Sequence, residues 1–403
     1  MSSFSWLAFS EDERRSTLDL ISLFSERETR DELGLGSVRD AFADLLFPGT
    51  STLQTRARYF LFVPWTYQRV QASGSRREPA QGIRAEELRL IDALKQSPDP
   101  SGTIGIQAGQ ALKRPASSLY WQGLAVWGIR RFKGPQASLH RRLANPLLAV
   151  NDARDDDGEP LEPGVSGYWH ADLPPHPDDF PEVASFTITP PESAYLIDRL
   201  MTHRTSTGTM LAILADLEYG SDVDFAWEHP RLGELPGHIR RQLHHARLFS
   251  LAMNGAALAY NIAVAELADR DETEEHHRAT FADWVARVRG AHRDLADWNT
   301  SELWSIALKG NTRIALATRR FVERWIAMVL EDRGEPLADD PAARTLIKNR
   351  EGAMKGGLAR LHNARSREMW NGDSGSAPLD FRWPVVQRLI KDLRDPLEEQ
   401  SSA

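Results

Sequence analysis

The chain has 403 residues, 41% hydrophobic and 26% charged, the composition of an ordinary globular protein with length for two or three domains. That composition excludes a wholly disordered, collagen-like or polytopic membrane chain, and the lack of cysteine excludes disulfides, thiolate metal sites and a cysteine nucleophile. A net charge of −8 argues against a protein that coats nucleic acid with its whole surface.

The charge is unevenly spread. Residues 1–44 sum to −5, residues 45–151 to +10 and residues 152–403 to −13. Within the basic stretch, 45–77 and 100–151 contain no acidic residue at all. One basic module inside an acidic chain points to a polyanion partner, or to a region that pairs with the acidic part of its own chain.

In chain order the pattern is that of helices. Ser10-Glu-Asp-Glu13 is a capping box ahead of Leu18, Ile21 and Phe24 at helical spacing. Ser37 caps a helix carrying Val38, Phe42, Leu45 and Leu46, and a third helix is expected over Thr52–Val70, interrupted at Pro64. Three short helices follow, over Glu86–Gln96, Ile104–Leu112 and Ser117–Trp127, with another over Leu139–Val150. Residues 151–191 change character to Asp, Gly and Pro and read as a long connection. The expected organisation is therefore an N-terminal helical domain over 1–150, the connection 151–191 and a C-terminal helical domain over 192–403. A proline-bearing capping box at Thr189-Pro-Pro-Glu192 reopens the helical pattern. Further helices are expected near 208–217, 238–268, 278–290, 300–308, 312–333, 342–363 and 383–394, with one weak strand pattern at Ala184–Thr189. The fold class is mainly α.

Leu248–Ala265 is uncharged and long enough to reach across a bilayer, but Ser250, Asn254, Tyr260 and Asn261 interrupt it, so a buried central helix is expected. The chain does not open on a basic stretch followed by an apolar core, so a cytoplasmic location, with no membrane partner, is expected.

Phosphate-binding glycine loops, His-Glu-x-x-His and Gly-x-Ser-x-Gly are missing from the sequence. The twelve histidines are scattered or paired side by side, and adjacent helical residues face apart, so no metal site and no cofactor is expected. Arg247, Asn254 and Asn261 recur every seventh residue on an apolar helix. They read as the lining of a ligand pocket, with Glu266 nearby, or as an interior network in which each buried amide finds a partner. Arg344–Arg367 is a second basic stretch, inside the acidic half.

The basic module carries the best pattern. Its three short helices could pack as a helix-turn-helix, the last of them entering a groove. Ser117, Ser118, Tyr120 and Gln122 would then face bases, and Lys113, Arg114, Arg130, Arg131, Lys133, Arg141 and Arg142 would grip phosphate. Arg56, Arg58 and Arg69 form a second cationic set on the expected Thr52–Val70 helix.

Several blocks resemble an uncharacterised bacterial family, domain of unknown function family 6361. They are Ser5-Trp6-Leu7 with Phe9-Ser10; Glu28–Leu33; Leu46–Ser51 running into Gln54–Trp65; Ser118–Trp121 with Trp127-Gly128; and Leu379–Trp383. Ala8 departs from the acidic residue expected at its position. The resemblance supplies no activity. It implies an association with bacterial anti-phage defence genes that also encode helicase or nuclease components. The expected function is a non-catalytic accessory protein that binds nucleic acid, DNA rather than RNA, through residues 45–151. The alternatives are a helical adaptor for an acidic helicase or nuclease partner, and an enzyme acting near Arg247, Asn254 and Asn261.

Overall fold

The periodic apolar segments fold as helices. A computed structural model describes residues 31–73, 78–145, 165–216, 222–332 and 337–402. In chain order its α-helices are α1 (Gly36–Leu46), α2 (Tyr59–Ala72), α3 (Pro79–Lys95), α4 (Ala116–Val126), α5 (Gln136–Ala144), α6 (Pro190–Thr202), α7 (Met210–Asp216) and α8 (Gly237–Leu267). They continue as α9 (Asp271–Gly290), α10 (His292–Ala296), α11 (Thr300–Gly310), α12 (Leu316–Asp332), α13 (Pro341–Lys355), α14 (Ala364–Glu368) and α15 (Trp383–Ser402). The described residues contain no strand, and the protein is a mainly α, multi-helical chain. Ala184–Thr189 buries Phe186 and Ile188 alternately but stays an extended segment without a pairing strand. The capping box at Ser10 and its helix lie outside the described residues.

Two compact units share the chain, and both are discontinuous in sequence. One comprises residues 1–42 and 241–381; the other comprises 43–240 and 382–403. Residues 151–164 of the expected connection lie outside the described residues. Residues 165–191 belong to the second unit and bury Trp169, Phe180, Phe186 and Ile188.

In the first unit α8 is the central helix. It is long and apolar enough to cross a bilayer, and 83% of its most apolar window is buried in protein. Gly255 makes room for α9, since a Cβ there would lie 2.2 Å from the Trp284 ring. Trp284 Nε1 donates to Leu251 O at 2.7 Å and Trp325 Nε1 to Ala252 O at 2.8 Å, so both indoles settle their polar group on α8 carbonyls. The basic stretch Arg344–Arg367 is largely tied down. Arg344 pairs with Glu266 and Asp339, buried Arg350 donates to Leu33 O, and Arg360 pairs with buried Glu32.

The second unit is built around α2. Its residues Tyr59–Tyr67 are buried without a break, which is why it shows little amphipathic character. Phe60 stacks on Trp127 at 3.7 Å, Tyr59 meets Tyr120 at 5.2 Å and Phe62 meets Phe180 at 5.7 Å. The helix starts at Tyr59 rather than at the expected Thr52. Residues 52–58 form turns instead, locked where Tyr120 Oη accepts from the Thr55 and Arg56 N–H groups and donates to Arg56 O. Pro64 lies inside α2 without ending it. The box at Thr189 forms as read, with the Thr189 and Glu192 side chains each bonded to the other's backbone N–H.

The helix expected over Ile104–Leu112 does not form. Only a three-residue 3-10 turn, Gly109–Ala111, occurs there. Gly102, Gly105 and Gly109 hold φ of +88°, +85° and +48°, left-handed backbone that an α-helix cannot contain. At Gly105 a Cβ would also lie 2.5 Å from Leu112. The helix-turn-helix-like module thus lacks its middle helix.

Candidate nucleic-acid interface

The sequence-marked cations divide into an inward and an outward set. Arg58 is buried; it donates to Ser185 O at 2.9 Å and pairs with Glu192 at 2.8 Å. Arg56 spans two acids, with Nε 3.0 Å from Asp392 and Nη1 2.5 Å from Asp99. Arg69 pairs with Glu86 at 3.2 Å. Arg130 is buried too, with Nε on Trp121 O, Nη1 on the Phe132 and Gly134 carbonyls, and its guanidinium 4.4 Å over the Trp121 ring. Burial of Arg130 lowers its pKa from the usual arginine value. None of these four presents its guanidinium freely to a phosphate chain, which corrects their expected role.

Two expected base readers are also interior. Ser117 is 1% exposed; its N–H donates to Glu87 at 2.7 Å and its hydroxyl accepts from Gln136 at 2.9 Å. Tyr120 is fully buried in the bonds that lock residues 55–56. Both sit on the face of α4 that packs on α2, so neither can reach a base. Ser118 and Gln122 occupy the exposed face.

The outward set is Lys113, Arg131, Lys133 and Arg141, all exposed, with Arg114 and Arg142 half-buried. A short bridge between Arg130 and Trp169 brings residues 165–170 alongside the 129–133 segment. Arg131 N–H donates to Tyr168 O at 3.0 Å and His170 N–H to Ile129 O at 2.7 Å. Phe132 meets half-buried Tyr168 edge to face at 6.0 Å, and Arg142 lies 4.9 Å over the Phe132 ring. Burial raises the Tyr168 pKa, with Arg142 opposing. On the other side His170 Nε2 and Arg199 Nη1 are 2.6 Å apart, and Arg199 also bonds Asp198 and Thr202. The His170 pKa is lowered, first by burial and then by Arg199, so the imidazole is neutral at neutral pH.

His203 lies against Gly128 and shares a 2.8 Å hydrogen bond with Val126 O. Val126 also lines a pocket of about 300 Å³ with Ser51, Gln54, Gln122 and Thr205 among others. Gly123 is needed there, since a Cβ would lie 2.5 Å from Gly49 O. Sequence reasoning marked Arg131, Lys133, Arg141, Arg142 and Gln122 but missed Tyr168, Phe132, His170 and Arg199. No local signal identifies Tyr168, His170 or Arg199, because the first two reach this segment through the bridge at Trp169 and Arg199 reaches it through His170; Phe132 lies between two marked cations.

The Arg247–Asn254–Asn261 stripe is a clamp rather than a pocket lining. Asn254 donates to Ser376 O at 2.6 Å and accepts from Arg287 at 2.9 Å. Asn261 donates to Ala257 O and Ser374 O and accepts from the Ser374 N–H at 2.8 Å. Arg247 pairs with Asp294 at the surface. Among the described residues no group of three His, Asp or Glu side chains has metal-binding geometry.

A family model, Family of unknown function (DUF6361), matches residues 1–396, and the chain belongs to that family. No curated protein and no solved structure matches it.

Proposed function

We propose that this member of the DUF6361 family binds nucleic acid through the outward face of its second unit, gripping the backbone without reading sequence. The observation that supports this is that Arg131 and Lys133 are exposed on a segment whose backbone bonds to Tyr168, with Arg142 over the ring of the intervening Phe132. Cations beside a half-buried aromatic suit a phosphate chain whose bases stack or pass by. The burial of Ser117 and Tyr120 leaves α4 without a row of base readers, which favours backbone contact. DNA as the polymer, a cytoplasmic site of action, and an accessory role beside a helicase or nuclease of a bacterial defence system belong to the same proposal. They rest on the family resemblance.

The test is a salt titration of binding to single- and double-stranded DNA and RNA. Arg131→Ala with Lys133→Ala should weaken binding to every duplex sequence and flatten the salt slope by about two, roughly one per lost phosphate contact. Gln122→Ala should leave the slope unchanged. Binding absent at low salt, or a double variant that binds like the parent, would sink the proposal. Arg130 is unsuited to this test because its loss would act through the fold.

A further inference from the structure

Helix α5 carries Arg141 and Arg142 and belongs to the second unit, yet Leu139 is its only buried residue. A chain of polar contacts supplies the rest of its attachment. Gln136 Nε2 donates to Ser117 Oγ at 2.9 Å and to Tyr67 Oη at 2.7 Å. The Tyr67 O–H is then left to donate to His140 Nε2 at 2.9 Å, and the two rings stack at 5.7 Å. At the other end the Ser117 N–H donates to Glu87 Oε1 at 2.7 Å. Helices α2, α3, α4 and α5 thus meet in one largely buried chain whose carboxyl group is Glu87.

The groups around Glu87 leave its proton as the variable. Tyr59 and Tyr67 face it from α2, and burial raises both phenols above the usual tyrosine value, so they stay neutral. Arg130 acts on Tyr67, with its guanidinium on backbone carbonyls. His140, beyond Tyr67, is lowered to about 4 by burial and is neutral at neutral pH. Ser117 from α4 and Gln136 from α5 do not titrate. The turn Gly109–Ala111, also packed on α3, brings no ionisable side chain. Arg84 on α3 acts on Glu87 while donating to Gln110 O at 2.9 Å. Against the Ser117 bonds and the field of Arg84, burial still raises the Glu87 carboxyl to about 7. Because α5 packs on α3, its departure would let water reach a carboxylate that is costly to hold buried.

We infer that proton loss from Glu87 releases α5, so that the helix bearing Arg141 and Arg142 loosens as the medium turns from weakly acid to weakly alkaline. In the open form Glu87 is hydrated and holds its proton less tightly, so opening is favoured once the proton is gone. Amide hydrogen exchange of α5 in the full chain, at pH 6 and at pH 8, tests this beside Glu87→Gln, which cannot titrate. The ratio of parent to variant exchange in α5 should rise about tenfold between the two pH values. A constant ratio would overturn the switch. Gln136→Ala cuts the chain on α5 itself and should speed α5 exchange at both pH values; exchange like the parent's would overturn the chain as the tether. The consequence for nucleic acid rests on the function proposed above. From pH 6 to pH 8 the parent should lose more affinity than Glu87→Gln. Equal losses, with the exchange ratio rising, would overturn a part for α5 in binding. Binding absent at both pH values would sink the proposed function alone, because the exchange ratio decides the switch by itself.

Discussion

Glu87 on α3 shows how much a single buried group is governed by its surroundings. It accepts the Ser117 N–H at 2.7 Å, yet burial outweighs that bond and raises its pKa from 4.5 to about 7. The folded protein therefore holds this proton more tightly than the unfolded chain does. The group favours folding fully below pH 4.5, and that contribution is lost as pH rises through about 7. Glu87→Gln keeps an acceptor for Ser117 and removes the titration. Between pH 5 and pH 8 the parent should lose about 2–3 kcal/mol more stability than Glu87→Gln, read from urea unfolding at both pH values. Parallel losses would contradict the reading. Arginines of equal appearance in the sequence separate in the same assay. Arg58→Ala strands buried Glu192 and should cost about 3–5 kcal/mol, whereas Arg131→Ala should stay within about 0.5 kcal/mol.

At the scale of elements, α8 organises the first unit through a few positions. Its amides hold the segment 374–379, with Ser250 adding a bond to Leu379 O at 3.0 Å. Asn261→Ala leaves the Ser374 N–H and C=O without these partners and should cost about 1–3 kcal/mol. Limited proteolysis should then cut first within 371–379, while Arg247→Ala, whose pair with Asp294 is partly exposed, should cut like the parent. Gly255→Ala forces Trp284 away from α8 and should destabilise by about 1–3 kcal/mol in thermal or urea unfolding.

For the whole molecule, the charge asymmetry of the sequence resolves into two uses. Arg56 and Arg58 neutralise Asp392 and Glu192 from the acidic part of the chain, so part of the +10 stretch is structural. Lys113, Arg131, Lys133 and Arg141 face solvent. If that partition governs binding, Arg69→Ala should leave the salt slope for duplex DNA unchanged, and Arg131→Ala should reduce it by about 0.9. Equal effects of the two would show that exposure is not what separates them.

The helical class, the Thr189 capping box and the buried nature of α8 were legible in the sequence, because periodicity and capping are local and act within a few residues. The two asparagines of the stripe on α8 were legible as an interior network of partnered amides, but their partners were not, since Ser374 and Ser376 lie more than a hundred residues away. The Ile104–Leu112 helix was misread because its apolar residues recur at helical spacing while its glycines take left-handed backbone. By itself the sequence determined the helical class, most of the helical segments and how many cations one region holds. Only the tertiary structure decided which way each cation points. Burial beside Glu192, Asp392 or a cluster of carbonyls depends on partners from distant segments, and no local pattern of side chains encodes that.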